Sequence, residues 1–158
     1  MKTGKRFRKI ALGGTFDVLH KGHEYVLRLA FTLGEKVALG LSTDNLASKI
    51  KGRKIKPYDQ RKSEILSFLS KEGLAGRVEI VPINHRFGTA AEDPELEAIL
   101  VSQENRPLAK QINEERKRKG LKELEIVVFS KILAENGKPI SSARIRLGVI
   151  DREGKLKA

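Results

Sequence analysis

Two histidines stand three residues apart in the stretch LGGTFDVLHKGHEYVL, Leu12 to Leu27, with a glycine directly before the second. His20 and His23 are two of only three histidines in the chain, so the pairing singles out this place. Imidazoles ligate metals or donate N–H bonds to oxyanions. A zinc site needs further ligands, and the chain has no cysteine and no third ligand close by. Oxyanion chemistry fits better. Gly13 and Gly14 are suited to turns closed to other residues and to close approach of a phosphate. The residues from Gly22 onward read as a helix, whose first N–H groups and dipole favour negative charge. Gly22 lets the chain sit close between the two imidazoles. The stretch is neither a Walker loop nor a G-x-G-x-x-G fingerprint, so phosphate chemistry here rests on His20 and His23.

A second polar cluster lies far downstream, in ISSARIR from Ile140 to Arg146. Ser141 and Ser142 precede a predicted helix and can cap it. The same hydroxyls, the first amides of that helix and the charges of Arg144 and Arg146 also form an anion site.

These groups need a frame. Phe7–Leu12, Lys36–Leu41, Arg77–Ile83, the end of Leu96–Ser102 and Glu123–Phe129 read as five strands. Helical spacing marks Gly22–Leu33, Tyr58–Leu69 and Pro107–Lys119, with a short helix or turn over Thr43–Lys51 and a last helix opening at Ser141. Gly34 is the expected stop of the first helix. Strands alternating with helices predict βαβ units and an α/β, Rossmann-like single domain of 158 residues: a five-stranded parallel sheet with helices on both faces. Ligands of such sheets bind beyond the carboxyl ends of the strands. The tail from Asp151 is expected to be loose.

Composition narrows the function classes. The net charge is +12, which suits polyanions or phosphorylated small molecules. Seven Lys or Arg fall between Lys49 and Lys62 and seven more between Arg106 and Lys122. One aromatic residue, Tyr58, falls within these runs, too few for base-stacking platforms, which disfavours a specific nucleic-acid partner. No apolar run spans a membrane, and without cysteine nothing points to an oxidising compartment. The reading is a cytoplasmic protein, with a monomer favoured by its basic surface.

The stretch G-G-T-F-D-V-L-H-K-G-H, Gly13 to His23, resembles the signature of the nucleotidyltransferase superfamily. ISSARIR resembles that superfamily's C-terminal I-S-S/T-x-x-I-R/K motif. The middle of the chain is similar to archaeal phosphopantetheine adenylyltransferases and the matching domain of eukaryotic coenzyme A synthase. It carries Leu41-Ser-Thr-Asp44 and the basic run from Lys49 to Arg61, then Val101-Ser-Gln-Glu104, Ile112-Asn-Glu-Glu-Arg116 and Lys119-Gly-Leu121. The resemblance covers about residues 8 to 148. Asn105 departs from the threonine usual there, and Arg86–Asp93 fits only loosely.

The resemblance implies transfer of AMP from ATP to 4′-phosphopantetheine, giving dephospho-coenzyme A and pyrophosphate, with Mg²⁺ carried in on the ATP. It implies His20, His23, Gly13, Gly14, Gly22, Phe16, Ser141, Ser142, Arg144 and Arg146 for ATP, with the last basic position of the motif favouring Arg146. A lysine after the second strand is implied to contact the acceptor phosphate and the attacked phosphorus. Lys54 is preferred, with Lys51 and Lys56 as rivals. Thr15 and Arg116 are expected on the acceptor, Arg116 because it shares a helix face with Asn113. Asp17 is expected as a helix cap, Arg61 as an anchor, Ser102 and Glu104 along the substrate path, and Val81–Phe87 as a wall for the pantetheine arm. His85 receives no role. A glycerol-3-phosphate cytidylyltransferase, an FAD-synthesising adenylyltransferase and a basic nucleic-acid-binding protein stay as alternatives.

Overall fold

The computed structural model describes residues 6–52 and 54–130. Ser141, Ser142, Arg144, Arg146, the expected last helix and the tail from Asp151 all lie outside them. The described chain runs β1 (Phe7–Gly14), α1 (Lys21–Leu33), β2 (Gly34–Ser42), α2 (Asp44–Lys51), α3 (Tyr58–Lys71), β3 (Val78–Ile83), β4 (Ala98–Ser102), α4 (Arg106–Arg118) and β5 (Glu125–Phe129). Among the described residues no helix is long and apolar enough to cross a membrane.

All strand pairs are parallel and the sheet order is β3-β2-β1-β4-β5. The five-stranded parallel sheet expected from the alternating pattern is present. The chain grows outward from β1 to β3, then crosses back to lay β4 on the other side of β1. That reversal opens a crevice beyond the carboxyl ends of β1 and β4.

Side chains alternate across the sheet, as a strand's period of two requires. Ile10, Leu12, Val37, Leu39, Leu41, Ala98 and Leu100 face α1 and α3, meeting Val26, Leu27, Ala30, Phe31, Ile65 and Leu69. Ala11, Ala38, Ile99 and Val101 face the other way, toward Ala109 and Ile112 of α4. Small residues on β1 and β2 leave room on this second face. A 3-10 turn, Gly88–Ala91, packs there beside α4.

Helix and strand boundaries follow the sequence with small shifts. Leu33 ends α1 and Gly34 starts β2 at once, with an extended backbone rather than a left-handed turn. Thr43 caps α2 through its hydroxyl, which accepts the Leu46 N–H at 3.3 Å. The strand begun at Arg77 starts one residue later, because Arg77 closes a short 3-10 turn, Ala75–Arg77. Its guanidinium is fixed there by the carbonyls of Phe31, Gly34 and Glu35 at 2.8–2.9 Å.

Candidate active site

The glycines at the end of β1 do not turn. Gly13 and Gly14 pair in register with Gly40 and Leu41 as the last residues of the strand. The left-handed residue is Phe16, at φ 51°. That conformation costs an L residue about 1 kcal/mol or more, and burial of the ring holds it: Phe16 is 6% exposed. The ring lies under Gly14, where an added Cβ would stand 2.8 Å from Phe16 Cε2. The glycine is needed for this close approach, while the positive φ was not legible in an aromatic residue.

The histidine pair proves to be a helix cap built from imidazoles. His20 is the N-cap of α1 and its Nδ1 accepts the Gly22 N–H at 3.0 Å and the His23 N–H at 3.4 Å. His23 is three residues on, and its Nδ1 accepts the His20 N–H at 3.3 Å. This reciprocal arrangement satisfies the first amides of the helix as a Ser/Glu capping box does. The rings stack, 3.7 Å between centroids and 19° between planes, and Phe16 closes on His23 at 4.8 Å. Gly22 makes room: a Cβ there would meet His20 Cε1 at 2.9 Å.

The cap decides the protonation of His23. A ring whose Nδ1 accepts is neutral and keeps its proton on Nε2. Burial, then the closeness of the His20 ring and of the Lys51 ammonium, which disfavours a positive charge, hold His23 well below the usual histidine range, against the opposing pull of the Val18 carbonyl and Asp17.

A cleft of about 450 Å³ opens at the carboxyl ends of the strands. Gly13, Gly14, Thr15, Phe16 and His23 line it, together with Ser102 and Glu104 from the end of β4 and Phe129 from the end of β5. His20 and Gly22 are not on its wall, and His20 is 5% exposed. Of the three lysines proposed for the basic loop, Lys51 lines the cleft. Lys54 is exposed and does not. Lys56 turns its ammonium to Glu64, 3.1 Å from both carboxylate oxygens. The preference for Lys54 therefore passes to Lys51. The register of a basic loop carries no periodic signal, and only the fold shows which cation faces inward.

Asp17 is not the helix cap. It is 1% exposed and its carboxylate accepts the Lys56 N–H at 2.9 Å, tying the glycine-rich segment to the loop before α3. Arg61 is the expected anchor. It is fully buried, donating to the carbonyls of Lys56 (2.7 Å) and Thr15 (2.9 Å) and to Asp44 (2.9 Å).

Arg116 overturns its expectation. Its guanidinium is 1% exposed, does not line the cleft, and donates to the carbonyls of Lys122 (2.7 Å), Ala90 (2.9 Å) and Asp93 (2.8 Å). Asn113 is likewise spent inside, exchanging two bonds with the backbone of Leu124 at 2.7 and 2.9 Å. Two residues were missed. Among the described residues Arg86 joins Lys51 as a cation on the cleft wall, and His85, left without a role, caps the next turn through Nδ1, which accepts the Gly88 N–H at 3.2 Å. The sequence placed Arg86 inside the wall segment Val81–Phe87, and its charge was the available signal.

Among the described residues no group of three or more His, Cys, Asp or Glu stands together to hold a metal ion. Among the described residues the cleft thus presents Lys51, Arg86 and the His23 imidazole to a phosphate ligand, while the first amides of α1, expected to bind it, are taken up by the histidine cap.

Residues 11–148 match the cytidylyltransferase-like family. A phosphopantetheine adenylyltransferase of Methanopyrus kandleri is 42% identical over 146 residues, 92% of each chain. One from Pyrococcus horikoshii is 42% identical over 151 residues, 95% of each. A crystal structure of a protein of unknown function from Archaeoglobus fulgidus superposes with a TM-score of 0.70 at 27% identity, over 84% of this chain and 99% of that one. Identity at this level along nearly the whole length, with the cleft at the expected end of the sheet, fixes the assignment: the chain belongs to the cytidylyltransferase-like family, among its phosphopantetheine adenylyltransferases.

Proposed function

We propose that the protein transfers AMP from ATP to 4′-phosphopantetheine, the adenylyl step of coenzyme A synthesis. The observation that carries this is the position of His23, held neutral on the cleft wall between the glycine end of β1 and Lys51. Relatives bearing the name of this activity, matched over more than nine-tenths of the chain, support it.

The chemistry asks little covalent work of the protein. An oxygen of the acceptor phosphate attacks the α-phosphorus of ATP and forms a new P–O bond. The bond from the α-phosphorus to the bridging oxygen breaks, and pyrophosphate leaves with the electron pair. Charge stays on phosphate oxygens throughout, so positioning and electrostatic stabilisation supply the rate. His23 donates Nε2–H to a phosphate oxygen near the reacting centre. His20 holds that ring by stacking and by the cap, and acts through it. Lys51 neutralises charge gathered between the two substrates. Thr15 and Phe16 shape the turn over which the phosphates lie. Ser141, Ser142, Arg144 and Arg146 are assigned to the ATP phosphates on their motif alone. Mg²⁺ would come with the nucleotide as MgATP and would offset charge on its phosphates, and no described residue is assigned to hold it. The lack of cysteine fits a reducing cytoplasm.

The test is pyrophosphate release from MgATP with 4′-phosphopantetheine, nicotinamide mononucleotide, FMN and glycerol 3-phosphate, with CTP as a parallel donor. Turnover with ATP and 4′-phosphopantetheine is the expected result. Turnover confined to another pair would keep the imidazole site and overturn the acceptor.

A further inference from the structure

Arg116 is a charge buried with no carboxylate in its own hydrogen-bond shell. Its three acceptors are backbone carbonyls. Burying a guanidinium is costly unless its donors are used, and burial pulls this one below the usual arginine range. The question is what the three bonds fix.

Two of them, to Ala90 and Asp93, clamp the 3-10 turn that follows β3. That turn is held from other sides as well. Gly88 sits at φ 54° and is pressed on Ile83, where a Cβ would stand 2.6 Å from Cγ2. Its N–H is taken up by the His85 carbonyl at 3.1 Å and by the His85 ring. The Asp93 carboxylate meets buried Lys9 of β1 at 2.6 Å, and Lys9 also reaches Glu79 of β3 at 3.4 Å. Burial opposes the charge on both groups, yet the Lys9–Asp93 contact holds the Asp93 carboxyl below its ordinary range.

The turn and the helix that bears Arg116 are two walls of one cleft. Phe87, Thr89 and Ala90 line it from the turn, and Leu108 and Ile112 line it from α4. Arg116 therefore sets the spacing between these walls without touching what lies between them. This stretch of wall is apolar apart from backbone and the Thr89 hydroxyl, and Arg86, one residue before Phe87, is the single cation beside it among the described residues. One cation does not balance a triphosphate. A slender, uncharged arm with amide groups does fit such walls.

We propose that Arg116 is a positioning residue for the acceptor: by clamping the Gly88–Ala91 turn against α4 it sets the width of the channel that takes the pantetheine arm. The proposal rests on the adenylyl-transfer reading above.

The test compares Arg116→Lys with Arg77→Lys by calorimetry. Arg77 holds three backbone carbonyls in the same way at the α1–β2 junction, at the opposite ends of the strands from the cleft, so it controls for lost stability alone. Lysine cannot span three carbonyls with a planar fork. Binding of 4′-phosphopantetheine and of α,β-methylene ATP is measured at a temperature where all the proteins are folded. Arg116→Lys raises the Kd for 4′-phosphopantetheine about tenfold and leaves the nucleotide Kd within twofold, as a displaced wall predicts. Arg77→Lys changes neither. Should Arg116→Lys fail to fold, Asp93→Asn, which loosens the same turn through Lys9, is expected to shift the acceptor Kd in the same direction by a smaller factor. Equal shifts for both ligands, no shift in a folded variant, or the same acceptor shift in Arg77→Lys would overturn the inference. Wild-type protein that does not bind 4′-phosphopantetheine would instead overturn the functional reading beneath it.

Discussion

Arg61 and Arg116 are the two largest fully buried side chains of the described structure, and they serve opposite walls of the cleft. Arg61 projects from α3, on the sheet face where Ile65 and Leu69 pack, and holds the Thr15 carbonyl beside the glycine end of β1. Arg116 projects from α4 on the other face and holds the turn after β3. One stiffens the segment where phosphate chemistry is assigned, the other the apolar channel. They differ in electrostatics. Arg61 has Asp44 within 2.9 Å, whereas Arg116 has carbonyls only, with Asp93's charge already shared by Lys9. A cleft that must hold two unlike substrates is thus braced by two like residues, each with its guanidinium fork spread over loop carbonyls.

The comparison is broken most severely at Arg61. Arg61→Ala strands the half-buried carbonyls of Thr15 and Lys56, each worth up to about 1–3 kcal/mol when left unpaired, and leaves a cavity where the fully buried side chain stood. We expect a loss of about 3 kcal/mol or more in denaturant unfolding. A loss under 1 kcal/mol would mean that water replaces the guanidinium and that the brace is dispensable. The gentler Arg61→Lys sharpens the contrast with Arg116. It is expected to raise the KM for ATP and for the acceptor alike, since Thr15 lies at the phosphate end, whereas Arg116→Lys affects the acceptor alone. Steady-state kinetics with each substrate varied in turn reads this out.

Gly22→Ala comes next. Its Cβ would collide with His20 at 2.9 Å, so the imidazole must leave the cap. Loss of an N-cap costs about 1 kcal/mol, and His23 loses its stacking partner with it. A fall in kcat beyond what the fall in Tm explains would show that His20 acts by holding His23. An unchanged kcat would detach the cap from catalysis.

The pH dependence is of similar size. His23 is held neutral in the fold, below its ordinary pKa of about 6.5. Below that pH the unfolded chain binds a proton that the native chain does not, so stability falls as pH drops from 7 toward the native value. The slope contributed by one such group is at most about 1.4 kcal/mol per pH unit. Asp93, depressed in the fold, adds its own loss only at lower pH, as carboxylates protonate. Thermal midpoints between pH 8 and 5 should fall in the wild type and fall less in His23→Gln. Parallel curves would remove His23 as the cause. The smallest effect is expected at Gly76, where an added Cβ meets nothing within 4 Å. Gly76→Ala should stay within about 0.5 kcal/mol of wild type in the same assay.

Much of this was legible in the residues. Strand–helix alternation carried the parallel sheet, whereas the unbroken apolar run Ile10–Leu12 did not tell which face of β1 each side chain takes. The two-histidine motif pointed to the strand-to-helix junction beside the cleft, where His23 lines the wall and His20 does not. The errors have one physical source. Periodicity tells which residues share a face, and it does not tell what that face meets. Asn113 and Arg116 do share a face of α4, as their spacing requires, and that face is turned into the protein. Lys51 ends α2 and Lys54 lies in the loop beyond it, where no periodicity runs on and direction is set by tertiary contacts. Phe16 occupies a left-handed conformation that no propensity assigns to phenylalanine, and its burial beneath Gly14 explains it only after the fold is known.

The most direct test of the account is the turnover of His23→Ala with MgATP and 4′-phosphopantetheine, measured beside its thermal midpoint. If the neutral imidazole stabilises charge in adenylyl transfer, kcat falls about 10²–10³-fold, the range for removing one preorganised donor, while both KM values change little. A folded His23→Ala protein with wild-type kcat would contradict the assignment of this cleft as the site of the reaction.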